Sequence, residues 1–211
     1  MRFQDKGVVV TGAGGGIGRA VCMEFAREGA VVAACDVDID MAERTVDAVE
    51  KAGGKAHAFA LDVTDPVAVA DLMDVAAKQL GGLDVLVNNA GVREIVPVLE
   101  LSYEEWNRVV GVNLTGVFLC AQAFARHLIL AEKPGAIVNL ASTLGVVAAP
   151  NRAAYTATKH AVVGLTKEMG MELGEKNIRV NAVGPGVRTG TARGRVVLRP
   201  PATTTSATAS K

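Results

Sequence analysis

Residues 8–18 read VVVTGAGGGIG, and this segment restricts the fold more than any other in the chain. Val8, Val9 and Val10 are β-branched and suit a buried, pleated strand. The five glycines that follow fit neither a strand interior nor a helix interior without cost, so they mark a tight turn. From about Gly16 to Arg27 the apolar period lengthens, placing Ile17, Val21 and Phe25 on one helical stripe with Gly29 as the C-terminal stop. Strand, glycine turn and helix in that order let the backbone approach a phosphate closely. They also offer it the free N–H groups and positive dipole end of a helix. Glycines at such a junction can equally serve the turn alone, so their meaning depends on what surrounds them.

The alternation continues down the chain. Strand-like runs cover Val31 to Cys35, Ala56 to Leu61, Leu83 to Val87, Ala136 to Leu140 and Ile178 to Val183. Between them lie helical patterns over roughly Ile39 to Lys51, from Asp65-Pro66 to Gly81 (Val69, Leu72 and Ala76 inward), from Ser102 towards Ala131, and from Arg152 to Gly174. Ser102 and Glu105 have the spacing of a capping box. Strands and helices in strict alternation predict a Rossmann-type doubly wound parallel sheet in three α/β/α layers. Half the residues are hydrophobic and few are aromatic, which suits strands buried on both faces.

Composition excludes several functions. Lys plus Arg and Asp plus Glu stand at 22 each, which gives no reason to expect a nucleic-acid or membrane partner. Cys22, Cys35 and Cys120 lack any CxxC spacing and read as buried thiols in a reducing compartment. The three histidines form no cluster, so no metal is expected. No cleavable signal peptide is visible, and the apolar stretch Val117 to Ala131 is broken by Gln122, Arg126 and His127. It reads as a packed helix, and the expected location is the cytoplasm.

Asp36 ends the second strand about 20 residues beyond the glycine turn. A carboxylate there accepts hydrogen bonds from a ribose diol and repels a 2′-phosphate. No Arg or Lys inside the glycine loop or directly after Asp36 offsets it. NAD is therefore the expected cofactor, in preference to NADP.

With the later motifs added, the chain resembles the classical short-chain dehydrogenase/reductase family. The glycine motif spans Thr11 to Gly18. Asn88-Asn89-Ala90-Gly91 matches the family's NNAG, Asn113 its helix asparagine and Ser142 its serine. Tyr155 and Lys159 match its YxxxK, and Asn181 to Gly186 its N-x-x-x-P-G segment. The resemblance covers about residues 5–187. It implies cofactor contacts from Gly12, Gly16, Ile17, Gly18, Asp36, Asp62, Val63, Asn89, Ala90, Gly91, Tyr155, Lys159, Pro185 and Gly186.

The residues also have physical readings of their own. Tyr155 and Lys159 stand at i and i+4, on one helical face. A phenol is a poor base at neutral pH, and a neighbouring ammonium favours its phenolate form. Tyr155 can then take a proton from an alcohol or give one to a carbonyl. Ser142 is either a turn residue or a hydrogen-bond donor to the reacting oxygen. Asn113, if buried, must be hydrogen-bonded; the resemblance implies that it also holds a water linking Lys159 to solvent.

The function expected from these features is hydride transfer between NAD and a secondary alcohol or ketone, in a homodimer or homotetramer built through two long helices. Residues 1–186 form the cofactor-binding and catalytic domain. Residues 187–211 are basic, Thr-rich and free of Asp and Glu, with too little apolar content to pack, and are expected to be disordered. In the family this region supplies a substrate lid, a last strand and the Thr of PG-x-x-x-T; here Thr189 stands one residue early. The change of composition suggests an altered C-terminus, such as a frameshift leaves. Two expectations follow from it: a tetramer weakened by loss of the last strand, and, as the rival reading, a cofactor-binding or interaction protein with little turnover.

Overall fold

The computed structural model describes residues 1–186; the expectations for the tail, the lid and the last strand fall outside the described residues. Six strands form one parallel sheet: β1 (Gly7–Thr11), β2 (Val31–Asp36), β3 (Lys55–Ala60), β4 (Val85–Asn88), β5 (Gly135–Leu140) and β6 (Ile178–Val183). Their order is β3-β2-β1-β4-β5-β6. The chain builds outward from β1 on one side, then crosses to the other side for β4 onward. The helices are α1 (Gly16–Arg27), α2 (Ile39–Lys51), α3 (Pro66–Leu80), α4 (Tyr103–Val110), α5 (Gly116–Leu130) and α6 (Ala153–Gly174). The doubly wound α/β fold read from the sequence is the one observed.

Alternation along the strands builds a core on each face. Val9, Ala33, Leu86 and Ile137 point to the side covered by α3 and α5, where Leu72, Met73, Phe124 and Leu128 close over them. Val8, Val10, Val32, Ala34 and Val87 point to the other side and meet Cys22 and Ala26 of α1 and Val49 of α2. Every residue of β1 and β4 is buried. Asp84 ties the starts of these two strands together: its carboxylate accepts from Gly7 N at 2.9 Å and from Lys6 Nζ at 2.7 Å.

Helix ends follow the expected chemistry with one exception. Asp65 caps α3 by accepting from Val67 N and Ala68 N, and Gly81 stops it at φ +77°. Ser102 Oγ accepts from Glu105 N at 3.1 Å. Glu105, however, turns to Arg108, so only half of the capping box forms. The buried stripe of α1 is also displaced from the expected one. Gly18, Cys22 and Ala26 are buried, while Val21 and Phe25 flank them and Ile17 is 38% exposed.

The long helix expected after Ser102 is interrupted. Gly111–Thr115 form a π turn between α4 and α5. Among the described residues, Tyr103–Leu130 is the one helical stretch long and apolar enough to cross a membrane. Here α5 buries Val117, Cys120, Phe124 and Leu128 inside the protein.

Candidate active site

The point where the strand order reverses, between β1 and β4, leaves a crevice at the carboxyl ends of the strands. A cleft of about 690 Å³ lies there, lined by Gly12, Gly15, Ile17, Asp36, Leu61, Asp62, Val63, Asn89, Ala90 and Gly91, with Val37, Val92, Arg93 and Val112 completing it. Eight residues expected from the sequence thus line one cleft: Gly12, Ile17, Asp36, Asp62, Val63, Asn89, Ala90 and Gly91. Ile17 is exposed because it faces this cleft.

Backbone packing explains the glycines. A Cβ on Gly18 would collide with Gly12 O and Asn89 Nδ2, and one on Gly12 (φ +63°) with the backbone of Ala90. Gly16 adopts φ +54° at the first position of α1. Gly15 precedes it as N-cap with no side chain to cap the helix, so first-turn N–H groups stay free for a ligand. Asn89 holds the turn from the opposite strand. Its Nδ2 donates to Thr11 O (2.9 Å) and Gly12 O (2.8 Å), and Thr11 Oγ1 accepts from Asn89 N and Ala90 N, both at 3.1 Å.

Two residues that the sequence reading missed buttress this loop. Arg19 donates to Gly14 O (2.8 Å) and Thr45 Oγ1 (3.0 Å), and buried Thr45 donates to Ala13 O at 2.8 Å. Asp36 accepts from Gly14 N at 2.8 Å and Asp38 N at 3.1 Å. These contacts keep its carboxylate at the cleft wall and leave Arg19 engaged elsewhere.

The other expected residues gather beyond Gly91. Lys159 is 4% exposed. Its Nζ donates to Leu140 O and lies 5.6 Å from the centre of the half-buried Tyr155 ring. Burial lowers the Lys159 pKa to about 8. The position of a Cβ on Gly91 would be 3.9 Å from Lys159 Nζ and 3.3 Å from Asn113 Oδ1. Gly91 therefore joins the cleft to the YxxxK pair. Ser142 follows β5, and its Oγ accepts from Leu144 N at 3.1 Å to cap a 3₁₀ turn over Thr143–Gly145. Pro185 O accepts from Thr143 N at 3.3 Å, which brings the Pro185-Gly186 segment to the same turn.

Asn113 sits in the π turn, fully buried. Its Oδ1 accepts from Val92 N and its Nδ2 donates to Val92 O, each at 2.8 Å, with a longer bond to Thr158 Oγ1 at 3.3 Å. The side chain thus acts as a strand partner for Val92. Asn88 donates to Asn139 Oδ1 at 2.9 Å, pinning β4 to β5. Cys35 is packed in the core and His160 lies exposed on α6.

A family model described as short chain dehydrogenase matches residues 6–197. The chain is 41% identical over 185 residues to a meso-2,3-butanediol dehydrogenase of Serratia marcescens, covering 88% of this chain and 72% of that protein. It is 42% identical over 186 residues to a cyclopentanol dehydrogenase of Comamonas sp. (strain NCIMB 9872), covering 88% and 74%. Among solved structures, an NAD⁺-bound xylitol dehydrogenase superposes with a TM-score of 0.85 at 37% identity, covering 88% of this chain and 72% of that one.

Proposed function

The chain belongs to the short-chain dehydrogenase family of oxidoreductases, and on that premise we propose that it transfers a hydride between NAD and a secondary alcohol or ketone, with Tyr155 as general acid/base. The observation that carries the proposal is the position of Gly91. It belongs to the cleft wall and at the same time lies against Lys159 and Asn113. The place for a dinucleotide and the place for proton transfer are therefore continuous.

The cleft fits the cofactor on its own features. The uncapped start of α1 suits a pyrophosphate. Asp36, fixed by two backbone N–H groups, presents a carboxylate to a ribose diol. Arg19 is committed to Gly14 and Thr45, so it does not offset the repulsion of a 2′-phosphate. These features support NAD over NADP. When bound, the cofactor supplies the carbon that accepts or donates the hydride. In this reading Gly12, Gly16, Ile17, Gly18, Asp62, Val63, Asn89, Ala90, Gly91, Pro185 and Gly186 hold it.

The remaining steps belong to the protein. Ser142 hydrogen-bonds the reacting oxygen; the Tyr155 phenolate takes the alcohol's proton during oxidation, and the Tyr155 phenol gives one to the carbonyl oxygen during reduction. Lys159, under the Tyr155 ring, keeps a positive charge nearby that favours the phenolate. With a pKa of about 8, its ammonium also releases a proton readily near physiological pH, as a relay requires. Asn113 holds the cleft loop beside it. Butanediol, cyclopentanol and xylitol, named for the relatives, all carry secondary alcohols, which supports that substrate class; none of the three relatives supports a non-catalytic reading. Exposed Trp106, Phe118, Ile129 and Leu130 on the α4–α5 stretch, the first of the two long helices expected at the contact, support pairing of two copies there. This reading takes the cytoplasm as the compartment, in keeping with three free, buried thiols.

The test pairs Tyr155→Phe with the unsubstituted protein on a panel of secondary alcohols, alongside NADH titration by fluorescence. Turnover should fall at least a hundredfold while NADH binding is kept. Turnover that survives the substitution refutes the role of Tyr155.

A further inference from the structure

Among the described residues only two buried side chains carry charge, Glu94 at 3% exposure and Lys159 at 4%. Lys159 belongs to the proposed site. Glu94 stands in the segment between β4 and α4, three residues beyond Gly91, and the proposed reaction gives it no part. A carboxylate leaves water at high cost unless donors replace its hydration. One donor meets both of its oxygens: the Tyr155 N–H, 3.1 Å from Oε1 and 3.2 Å from Oε2.

That N–H is one the helix cannot satisfy. Tyr155 is the third residue of α6, within the first turn, where N–H groups lack intrahelical partners. The N-cap residue is Arg152, whose side chain makes no capping bond. Glu94 caps α6 from a different element and sets negative charge at the positive end of the helix dipole. Arg152 returns the contact by donating from its guanidinium to Glu94 O at 2.9 Å.

The backbone of Tyr155 is held from its other side as well. Tyr155 O accepts from Thr158 Oγ1 at 2.9 Å, Thr158 Oγ1 accepts from Asn113 Nδ2, and Asn113 grips both polar groups of Val92. Val92 lies two residues before Glu94, so the hydrogen bonds close a ring that begins and ends at Tyr155. Val92 and Arg93, inside that ring, also line the cleft.

We propose that Glu94 is a positioning residue for Tyr155: it caps α6 through the Tyr155 N–H and so fixes the phenol relative to the cofactor cleft. This inference rests on the reading of Tyr155 as acid/base. Neither Glu94 nor Arg152 bears a motif signature, and the contact exists only because the loop after Gly91 folds back over the start of α6.

The test uses the full chain with Glu94→Gln, which keeps an acceptor of the same shape, and Glu94→Ala, which removes it. For Glu94→Ala, kcat should fall at least tenfold while the NADH dissociation constant stays within twofold. Glu94→Gln should recover kcat to within threefold of the unsubstituted protein. An unchanged kcat in Glu94→Ala, or equal losses in both variants, overturns the proposal. Should Glu94→Ala fail to fold, Glu94→Asp takes its place: its withdrawn carboxylate should lower kcat severalfold below that of Glu94→Gln, and parity between the two overturns the proposal. Amide exchange at Tyr155, read by NMR with ¹⁵N-tyrosine, separates this inference from the functional reading. If the unsubstituted protein turns over no alcohol, the functional reading fails. Exchange at least tenfold faster in Glu94→Ala still supports the cap, and unchanged exchange overturns it.

Discussion

Lys159 should make the folded protein more stable in mild alkali, a consequence opposite to the usual behaviour of surface lysines. Its pKa is lowered from 10.5 to about 8 by burial, so between those values the unfolded chain holds a proton that the folded one has released. Stability rises with pH wherever the unfolded state binds more protons. Burial of the ammonium is therefore a full penalty below about pH 8, and the penalty is relieved as pH climbs towards 10.5. A displacement of about 2.5 pKa units at 1.36 kcal/mol each corresponds to about 3 kcal/mol. The perturbation that isolates it is Lys159→Met, which keeps the aliphatic stem and removes the titration. Urea unfolding at fixed protein concentration, without cofactor, from pH 7 to 11, gives two stability curves whose difference cancels every other ionising group. Relative to Lys159→Met, the unsubstituted protein should gain about 3 kcal/mol across that range. At a slope of about 2 kcal/mol per molar urea, the midpoint difference moves by about 1.5 M. Parallel curves would show that Lys159 carries its charge without penalty, and the argument from its burial would fail.

Three further outcomes follow from the structure. Gly18→Ala drives a methyl group into Gly12 O and Asn89 Nδ2, and should weaken NADH binding at least tenfold by fluorescence titration. Gly164→Ala, in the exposed part of α6 with nothing within 4 Å of the new methyl, should instead stabilise by about 1 kcal/mol in urea unfolding. Burial raises the Cys22 and Cys120 thiols to about 12 and Cys35 well above its ordinary value. No thiol should therefore be labelled by iodoacetamide at pH 8 until denaturant is added, with mass spectrometry as the readout.

Local signals carried much of the fold. The ends of α1, α2 and β6 agree with the sequence reading because glycines and changes of apolar period bound them. The start of β4 lies two residues later than expected, since Leu83 is buried before the ladder begins at Val85. Hydrophobicity reports burial there, whereas pairing depends on the neighbouring strand. The inward stripe of α1 was misplaced for a related reason. Glycine and cysteine pack closest to the sheet, and bulkier Ile17 is displaced into the cleft. The π turn at Gly111–Thr115 has no local signature, because what shapes it is Asn113 reaching across to Val92. Motif residues such as Asp36 and Lys159 were legible through their spacing. Glu94, Arg19 and Thr45 were not, since each acts on a partner distant in sequence and none of their neighbours marks the contact.

The strand order also carries a schedule. Asn89 reaches the glycine turn at Thr11 across 78 residues, whereas β2 and β3 pair with segments made soon before them. During synthesis β1, β2 and β3 are available as a block well before β4 leaves the ribosome, and β1 waits with one edge open. The glycine turn can bend early, but nothing fixes its far side until Asn88-Asn89 arrives. Tyr155 and Lys159 emerge later still, after both strands of the central ladder have been made. In the proposed reading, the residues of the nucleotide cleft are therefore synthesised before Tyr155, the acid/base that completes the site.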